Sequence, residues 1–156
     1  MKPHNLHIVE GDLLDQKVEV IVNAWNRNII PWWLLLPQGV SGAIKRRAGY
    51  QPFRELGRFG AIPLGGAVTT GAGKLGFKAI IHVAGINMFW RSTRHSIRQS
   101  VISAMQIVSA NGYQSVAFPI IGAGTGGFGV DGALSIMLEA FAEIEVEVPV
   151  FIVRFK

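Results

Sequence analysis

The sequence predicts an α/β domain in which helices cover a mostly parallel sheet. Short apolar runs rich in β-branched residues alternate along the chain with segments of helical periodicity, which is the pattern of strands connected through helices. A glycine-rich segment follows one predicted strand, and ligands bind at that edge of such sheets. The length of 156 residues fits one compact domain, so we expect residues 1–156 to form a single unit.

Five apolar runs predict the strands. They cover residues 6–9, 18–22, 79–83, 115–121 and 148–155. Their nearly continuous apolar character indicates burial on both faces, as in a parallel sheet that lies between layers of helices.

Three segments with helical spacing predict the helices. Residues 40–48 end before a glycine, residues 92–110 end at an Asn-Gly pair, and the last helix covers about residues 130–144. Glycine or asparagine commonly follows the end of a helix. Residues 50–75 are rich in glycine and proline, so we expect them to cross the surface as a loop.

Positive charge is concentrated in the middle of the chain. Residues 27–98 contain eleven Lys and Arg but a single acid, Glu55, whereas the flanking segments are net acidic and the whole chain carries a formal charge of +5. This asymmetry favours an anionic partner, either a nucleic acid or a phosphorylated small molecule. The alternative is a solvated basic face without a ligand.

Composition disfavours several functional classes. The chain has no cysteine, which excludes a disulfide framework, a thiolate nucleophile and a Cys-ligated zinc site. The most apolar stretch, residues 29–36, is interrupted by Pro31 and is shorter than the ~20 residues that span a bilayer. The N-terminus lacks the apolar core of a secretory signal. We therefore predict a cytoplasmic protein with no membrane partner, no metal site and no bound cofactor.

Two further features favour structural roles. His82 lies inside an apolar strand, which predicts a core histidine with satisfied hydrogen bonds. Arg91, Arg94 and Arg98 follow one another at helical spacing and predict a basic stripe that faces solvent, with phosphate contact as the alternative.

The glycine-rich segment is the strongest local indication of a ligand. It joins a predicted strand to a predicted helix, where glycine lets backbone N–H groups approach an anion and the helix N-terminus adds partial positive charge. This predicts a phosphate-binding loop, the alternative being a turn that only permits tight packing. A dinucleotide-binding fingerprint is disfavoured because the next strand carries no acid. The residues of the predicted loop are Ile121, Gly122, Ala123, Gly124, Thr125, Gly126, Gly127 and Phe128.

Polar side chains also follow the first two strands. Asp12 comes after the first, where a carboxylate can accept a hydrogen bond from an exocyclic amine such as that of adenine, or can cap the next helix. Asn23 and Asn26 come at the end of the second strand, in a position where asparagine is also common for structural reasons.

Six motifs in order carry a family resemblance. They are GDL (11–13), VEVIVNAWN (18–26), GVSGAI (39–44), GAVTTG (66–71), IIHVAG (80–85) and PIIGAGTGGFG (119–129). Together they cover nearly the whole chain, which resembles the macro domain family. The resemblance implies a three-layer α/β/α sandwich with a mostly parallel mixed sheet and a cleft that binds ADP-ribose at the carboxyl ends of the strands.

The resemblance also implies roles for individual residues. Asp12 receives the adenine amine, and the backbone of Leu13 helps to hold the adenine end. Gly39 and Val40 open one phosphate-contacting loop, while residues 122–127 wrap the diphosphate.

At the other end of the implied cleft, Asn26 matches the asparagine that faces the proximal ribose, where macro domain hydrolases cleave. Asn23 braces the loop. Many of these hydrolases have an aspartate where this chain has Ser41, and a serine cannot act as a general base without a partner. Asn26 and Ser41 are the candidate catalytic residues.

Two aromatic features depart from the family. Trp32 and Trp33 lie in a long apolar segment, residues 27–38, that forms a local core, a lid or a dock for a protein partner. The family often has an aromatic residue at the position of Gly126, whereas here the nearest is Phe128, which packs against the distal ribose or begins the last helix.

The function expected from this resemblance is ADP-ribose binding with hydrolysis, either removal of ADP-ribose from a modified acceptor or deacetylation of O-acetyl-ADP-ribose. A water held between Asn26, the loop that contains Ser41 and a substrate phosphate would be the nucleophile. The alternatives are a non-catalytic reader of ADP-ribosylated protein or poly-ADP-ribose and, less favoured, a basic domain that binds RNA or single strands.

Overall fold

Six strands form one mixed sheet. A computed structural model of the chain describes residues 5–34, 39–87, 91–123 and 127–155. The strands lie in the order β1-β6-β5-β2-β4-β3, and all neighbours are parallel except β3 and β4, which are antiparallel. The strands are β1 (Leu6–Gly11), β2 (Val20–Trp25), β3 (Ala67–Thr70), β4 (Ala79–Ala84), β5 (Val116–Pro119) and β6 (Val150–Phe155).

Helices cover both faces of this sheet, which confirms the predicted three-layer architecture. The first face packs against α3 (Arg94–Ala110) and α4 (Gly129–Ala142), and the second packs against α1 (Gly39–Ala48) and α2 (Gln51–Gly57). Each face has its own hydrophobic cluster, as expected when a sheet is buried on both sides.

Strand alternation decides which residues face which layer. In β2, Val20 and Val22 join the cluster beneath α3 and α4, whereas Ile21 and Trp25 join the cluster beneath α1 and α2. Asn23 has the same parity as the second pair, so its side chain lies on the α1/α2 face. Its side chain is completely buried and therefore needs hydrogen-bond partners within the protein.

The expectation of a loop over residues 50–75 is wrong. Residues Gln51–Gly57 form α2, with Pro52 in its first turn, where a missing N–H costs nothing. Phe53 and Leu56, three residues apart, bury one face of this short helix completely. Residues Ala67–Thr70 form β3, an edge strand that is mostly half-buried. Edge strands need no long apolar run, which is why this one lacked a sequence signature.

Two of the three arginines of the predicted basic stripe pair at the surface with acids near the end of α4. Arg94 contacts Glu139 at 2.6 Å, and Arg98 contacts Glu143, so both join α3 to α4 at the surface. The helix itself begins later than predicted, because Thr93 and Ser96 form a capping box at its N-terminus. Within the described ranges, no helix combines the length and the apolar character that crossing a bilayer requires.

Candidate functional site

A cavity of about 1090 Å³ opens at the carboxyl ends of the parallel strands. This is the edge at which α/β sheets bind ligands. Residues after β1, β2, β4 and β5, the end of β6 and the first two turns of α1 all contribute to its wall. The lining residues include Asp12, Leu13, Leu14, Ala24, Asn26, Leu34, Gly39, Val40, Ser41, Lys45, Arg46, Gly85, Ser92, Ile120, Ile121, Gly122, Ala123, Val130, Arg154 and Phe155.

Asp12 marks one end of this cavity. Its Oδ1 accepts a hydrogen bond from the Leu14 N–H at 2.9 Å, so the carboxylate caps the short 3-10 helix Leu13–Asp15. Its Oδ2 lies 3.9 Å from Nη1 of Arg47. The carboxylate therefore combines the capping position with a place in the cavity wall.

Residues that the sequence analysis missed surround this Asp12 end. Gly11 and Phe155 are register partners in β1 and β6, so the end of β6 reaches the same point as Asp12. Phe155 is 82% exposed and lines the cavity together with Arg154 and Arg46. An aromatic face and two guanidinium groups suit a planar, anionic ligand. Only the pairing of β1 with β6 could have revealed this cluster, since the two strands are far apart in sequence.

The N-terminus of α1 forms part of the opposite wall. Gly39 has a φ of +58°, a conformation that favours glycine, and α1 begins there. Val40 and Ser41 follow in the cavity wall. The Ser41 hydroxyl donates to Oδ1 of Asn23 at 2.8 Å.

Asn26 is held in the wall by a local turn. Its Oδ1 accepts a hydrogen bond from the Asn28 N–H at 2.7 Å, an Asx turn. Asn28, with a φ of 62°, donates in turn to the backbone carbonyls of Leu56 and Gly60. Among the described residues, Nδ2 of Asn26 has no hydrogen-bond partner, so this N–H group is available to a ligand.

Asn23 does not reach the cavity. Its exposure is 0%, and its side chain bonds to Ser41 and to His82. The side chain can therefore brace the site, as the resemblance implies, but direct contact with a ligand is not compatible with this position.

His82 is a core histidine, as the sequence predicts. Its ring is completely buried, with Nδ1 3.0 Å from Nδ2 of Asn23 and Nε2 2.8 Å from Oγ1 of Thr70. Burial lowers the pKa of His82 to about 3, because an apolar environment disfavours the imidazolium. The ring is therefore neutral at physiological pH.

The glycine-rich loop contributes its first residues to the cavity. Ile121, Gly122 and Ala123 line it, whereas Gly124, Thr125 and Gly126 lie outside the described residues. Gly122 has a φ of +91°, and a Cβ there would lie 2.7 Å from Cδ1 of Ile97. Glycine is thus required by both backbone conformation and packing.

Gly127 and Phe128 are not part of the described cavity wall. Phe128 is 37% exposed and immediately precedes α4, and its N–H donates to the Gly122 carbonyl at 3.3 Å. Val130 of α4 lines the cavity instead.

The apolar segment before α1 is divided between burial and exposure. The Trp32 ring is half-buried and lies 5.4 Å from the Tyr50 ring and 6.3 Å from the Phe53 ring. Trp33 is 66% exposed, and Leu34 is 59% exposed while lining the cavity. Trp32 therefore forms the local core that the sequence suggests. Trp33 has no such role.

Lys45 ties this segment to the cavity wall. Its Nζ donates to the Trp32 carbonyl at 3.2 Å and lies over the rings of Trp25 and Phe53, at 5.5 and 5.0 Å from their centroids. Burial lowers the pKa of Lys45. Sequence reasoning missed this residue because a lysine in a helix usually faces solvent. Within the described residues, no cluster of three His, Cys, Asp or Glu side chains could hold a metal ion.

Comparisons with known proteins agree with this geometry. A family model described as Macro domain matches residues 22–137. The O-acetyl-ADP-ribose deacetylase of Citrobacter koseri is 37% identical over 146 residues, which is 88% of this chain and 78% of the relative. The enzyme of the same name from Escherichia coli is 34% identical over the same shares of both chains.

Solved structures extend the similarity to the whole fold. The macrodomain of Oceanobacillus iheyensis with ADP has a TM-score of 0.81 at 27% identity, covering 99% of this chain and 87% of that one. A mutant of the same macrodomain with ADPR has a TM-score of 0.83 at 27% identity, covering 99% and 89%.

Proposed function

Because the chain belongs to the macro domain family, we propose that it binds ADP-ribose and hydrolyses ADP-ribose derivatives. The observation that carries the proposal is the composition of the cavity wall, which has a carboxylate after β1 and an asparagine after β2. β1 and β2 are three strand spacings apart in the sheet, or ~14 Å. An extended nucleoside diphosphate sugar suits such a distance between its two ends.

In the proposed binding mode the adenine lies at the Asp12 end. Oδ2 of Asp12 accepts the exocyclic amine, the Leu13 backbone supports this end, and the exposed ring of Phe155 offers a stacking surface. The diphosphate lies between the start of α1 and the loop after β5, where Gly39, Val40 and Gly122 present backbone N–H groups.

The proximal ribose then lies beside Asn26 and Ser41. Among the described lining residues Asp12 is the single carboxylate, and it belongs to the adenine end. We therefore propose that the nucleophilic water is positioned by Asn26, Ser41 and a substrate phosphate rather than deprotonated by a carboxylate of the protein.

Deacetylation of O-acetyl-ADP-ribose is the reaction that the named relatives favour. The water attacks the acetyl carbonyl carbon and one of its protons passes to the departing ribose oxygen as the ester C–O bond breaks, which releases ADP-ribose and acetic acid, the latter ionising to acetate. Nδ2 of Asn26 is suited to donate to the oxyanion that forms at the acetyl carbonyl.

The first experiment is a calorimetric titration with ADP-ribose. The variant Asp12→Asn retains an oxygen that caps the Leu14 N–H but lacks the charge, and we expect it to bind about tenfold more weakly than the wild type. Asp15→Ala is the matched control, since Asp15 is exposed and lies outside the cavity wall. No binding by the wild type would overturn the proposal. Equal binding by Asp12→Asn would overturn the placement of the adenine.

The second experiment separates an enzyme from a reader. Purified protein is incubated with O-acetyl-ADP-ribose and, separately, with a mono-ADP-ribosylated protein, and released acetate and ADP-ribose are measured. We expect Asn26→Ala to reduce turnover more than affinity. A wild-type protein that binds both compounds and releases nothing would be a reader, the alternative that Ser41 in place of a carboxylate favours. A cytoplasmic location, a protein contact through Trp32 and Trp33 and binding of nucleic acid remain predictions from the sequence.

A further inference from the structure

A continuous chain of hydrogen bonds runs from the cavity wall into the core beneath α1 and α2. Ser41 Oγ lies 2.8 Å from Oδ1 of Asn23, whose Nδ2 lies 3.0 Å from Nδ1 of His82. Nε2 of His82 lies 2.8 Å from Oγ1 of Thr70, which is 2.9 Å from the Gly71 carbonyl oxygen. Asn23, His82 and Thr70 are all buried, so their polar groups depend on one another.

The groups at the two ends of this series of hydrogen bonds decide which atom of each pair donates its proton. The Gly71 carbonyl can only accept, so at 2.9 Å the Thr70 hydroxyl donates to it. Oγ1 of Thr70 then accepts from the Nε2–H of His82, the unprotonated Nδ1 accepts from Asn23, and Oδ1 of Asn23 accepts from Ser41.

The opposite direction requires the Asn23 amide to be flipped, so that Oδ1 faces His82 and Nδ2 faces Ser41, and it fits the distances worse. It would leave two oxygen lone pairs facing each other at 2.9 Å between Thr70 and Gly71, while the Ser41 hydroxyl would donate to the Ala24 carbonyl at 3.4 Å. The first distance is a good hydrogen bond and the second is a poor one. The first direction is therefore favoured.

This direction gives the Ser41 oxygen a defined chemical character. Its proton is committed to Asn23, so the oxygen can offer only lone pairs to the cavity that it lines. We propose that Asn23, His82 and Thr70 are positioning residues that hold Ser41 Oγ as a hydrogen-bond acceptor for the attacking water. The proposal rests on the proposed hydrolytic function.

The same series of hydrogen bonds argues against Ser41 as a nucleophile. In serine hydrolases the imidazole bonds directly to the serine hydroxyl and takes its proton, while a carboxylate supports the imidazole. Here a neutral amide separates Ser41 from His82, and the far end of the chain is a neutral carbonyl. The chain can orient the hydroxyl but cannot remove its proton.

The proton direction is tested in the ligand-free protein by ¹⁵N NMR of the histidine rings. We expect His82 to be neutral at physiological pH and protonated at Nε2, with Thr70→Val perturbing this signal and Thr70→Ser preserving it. A proton on Nδ1 would overturn the proposed direction. This measurement does not depend on any activity of the protein.

The positioning role is tested by the kinetics of O-acetyl-ADP-ribose hydrolysis. Thr70→Val removes the acceptor for Nε2–H, and we expect kcat to fall about fivefold with KM nearly unchanged. Thr70→Ser keeps the hydroxyl and restores kcat. Unfolding curves of both variants verify that each is folded under the assay conditions.

The double variant Ser41→Ala, Thr70→Val distinguishes positioning from a general structural effect. If Thr70 acts through Ser41, adding Thr70→Val to Ser41→Ala leaves kcat unchanged, because the oriented hydroxyl is already absent. A further loss of the same size as in the single variant would overturn the positioning role. No turnover by the wild type would overturn the proposed hydrolysis and with it the role of the water, while the NMR result on proton direction would stand.

Discussion

The two faces of the sheet are built from different chemistry. Beneath α3 and α4 the buried strand residues are aliphatic or aromatic, and charge is confined to surface pairs such as Arg98 with Glu143. Beneath α1 and α2 the core also contains Asn23, His82 and Lys45. Such groups need hydrogen-bond partners, because burying them without any costs free energy. The α1/α2 face therefore carries the polar contacts that support the cavity wall at Ser41, whereas the buried strand residues of the other face contribute hydrophobic packing.

Removing an aromatic side chain from each face is the strongest test of this difference. Phe141 packs edge-on against Phe118 at 5.3 Å, and Phe53 lies against His82 and Lys45; both are completely buried. We expect Phe141→Ala and Phe53→Ala each to lower the free energy of unfolding by about 3–5 kcal/mol in denaturant titrations.

The two variants should differ in function. Under conditions where both remain folded, Phe141→Ala should retain ADP-ribose affinity, whereas Phe53→Ala should weaken it. Equal ADP-ribose affinity in the two variants would contradict the conclusion that the α1/α2 face supports the cavity wall.

Two glycines with similar backbone conformations provide a second test. Gly73 has a φ of +59°, and a Cβ there would lie 2.3 Å from the Ala48 carbonyl oxygen at the end of α1. Gly112 has a φ of +68° and open space around the same position. We expect Gly73→Ala to cost roughly 2–4 kcal/mol of unfolding free energy, and Gly112→Ala about 1 kcal/mol for the backbone conformation alone. Comparable losses would show that the contact with α1 has little effect.

Acid should destabilise the α1/α2 face through His82. Burial lowers the pKa of this ring from 6.5 to about 3, so between these values the unfolded chain binds a proton that the folded chain does not. The contribution of neutral His82 to the free energy of unfolding is therefore complete above pH 6.5. It is lost as the pH falls toward 3, by about 1.4 kcal/mol per pH unit. Unfolding free energies of the wild type and of His82→Gln, measured across this range, should diverge in slope. Parallel curves would mean that His82 does not carry the effect.

The smallest effect on the free energy of unfolding is expected from a surface ion pair on the α3/α4 face. Arg98 and Glu143 have side chains 40% and 50% exposed, and such ion pairs contribute between 0 and about 1 kcal/mol. A double-mutant cycle with Arg98→Ala and Glu143→Ala should give a coupling energy in this range that decreases with salt. A coupling well above it would indicate that charge pairs on this face stabilise more than their exposure suggests.

The sequence was most informative where local pattern and burial agree. β4 and α3 have continuous or periodic apolar residues, and both were predicted with ends within two residues of those observed. α2 and β3 were missed because glycine and proline dominate their surroundings, and their burial comes from Phe53, Leu56 and pairing with β4 rather than from a long apolar run.

The residues of the candidate site also fall into those that a local motif predicts and those that it does not. Asp12, Asn26 and the residues from Gly39 to Ser41 stand at the ends of elements, where motif and position coincide. Phe155 and Lys45 join the cavity wall through contacts between distant elements, and no local pattern marks them. The hydrogen bonds behind Ser41 could not be predicted for the same reason, because Asn23 meets Ser41 only when α1 packs on β2 and meets His82 only when β2 lies beside β4.

The position of β6 in the sheet has a consequence for the order in which the protein takes shape on the ribosome. β6 lies between β1 and β5, and Leu6 is the register partner of Val150. Until the residues that follow Val150 have been synthesised, β1 has no partner strand in the described sheet. The Asp12 end of the cavity is therefore the last part of the wall to form, because Arg154 and Phe155 join it only when β6 is inserted beside β1.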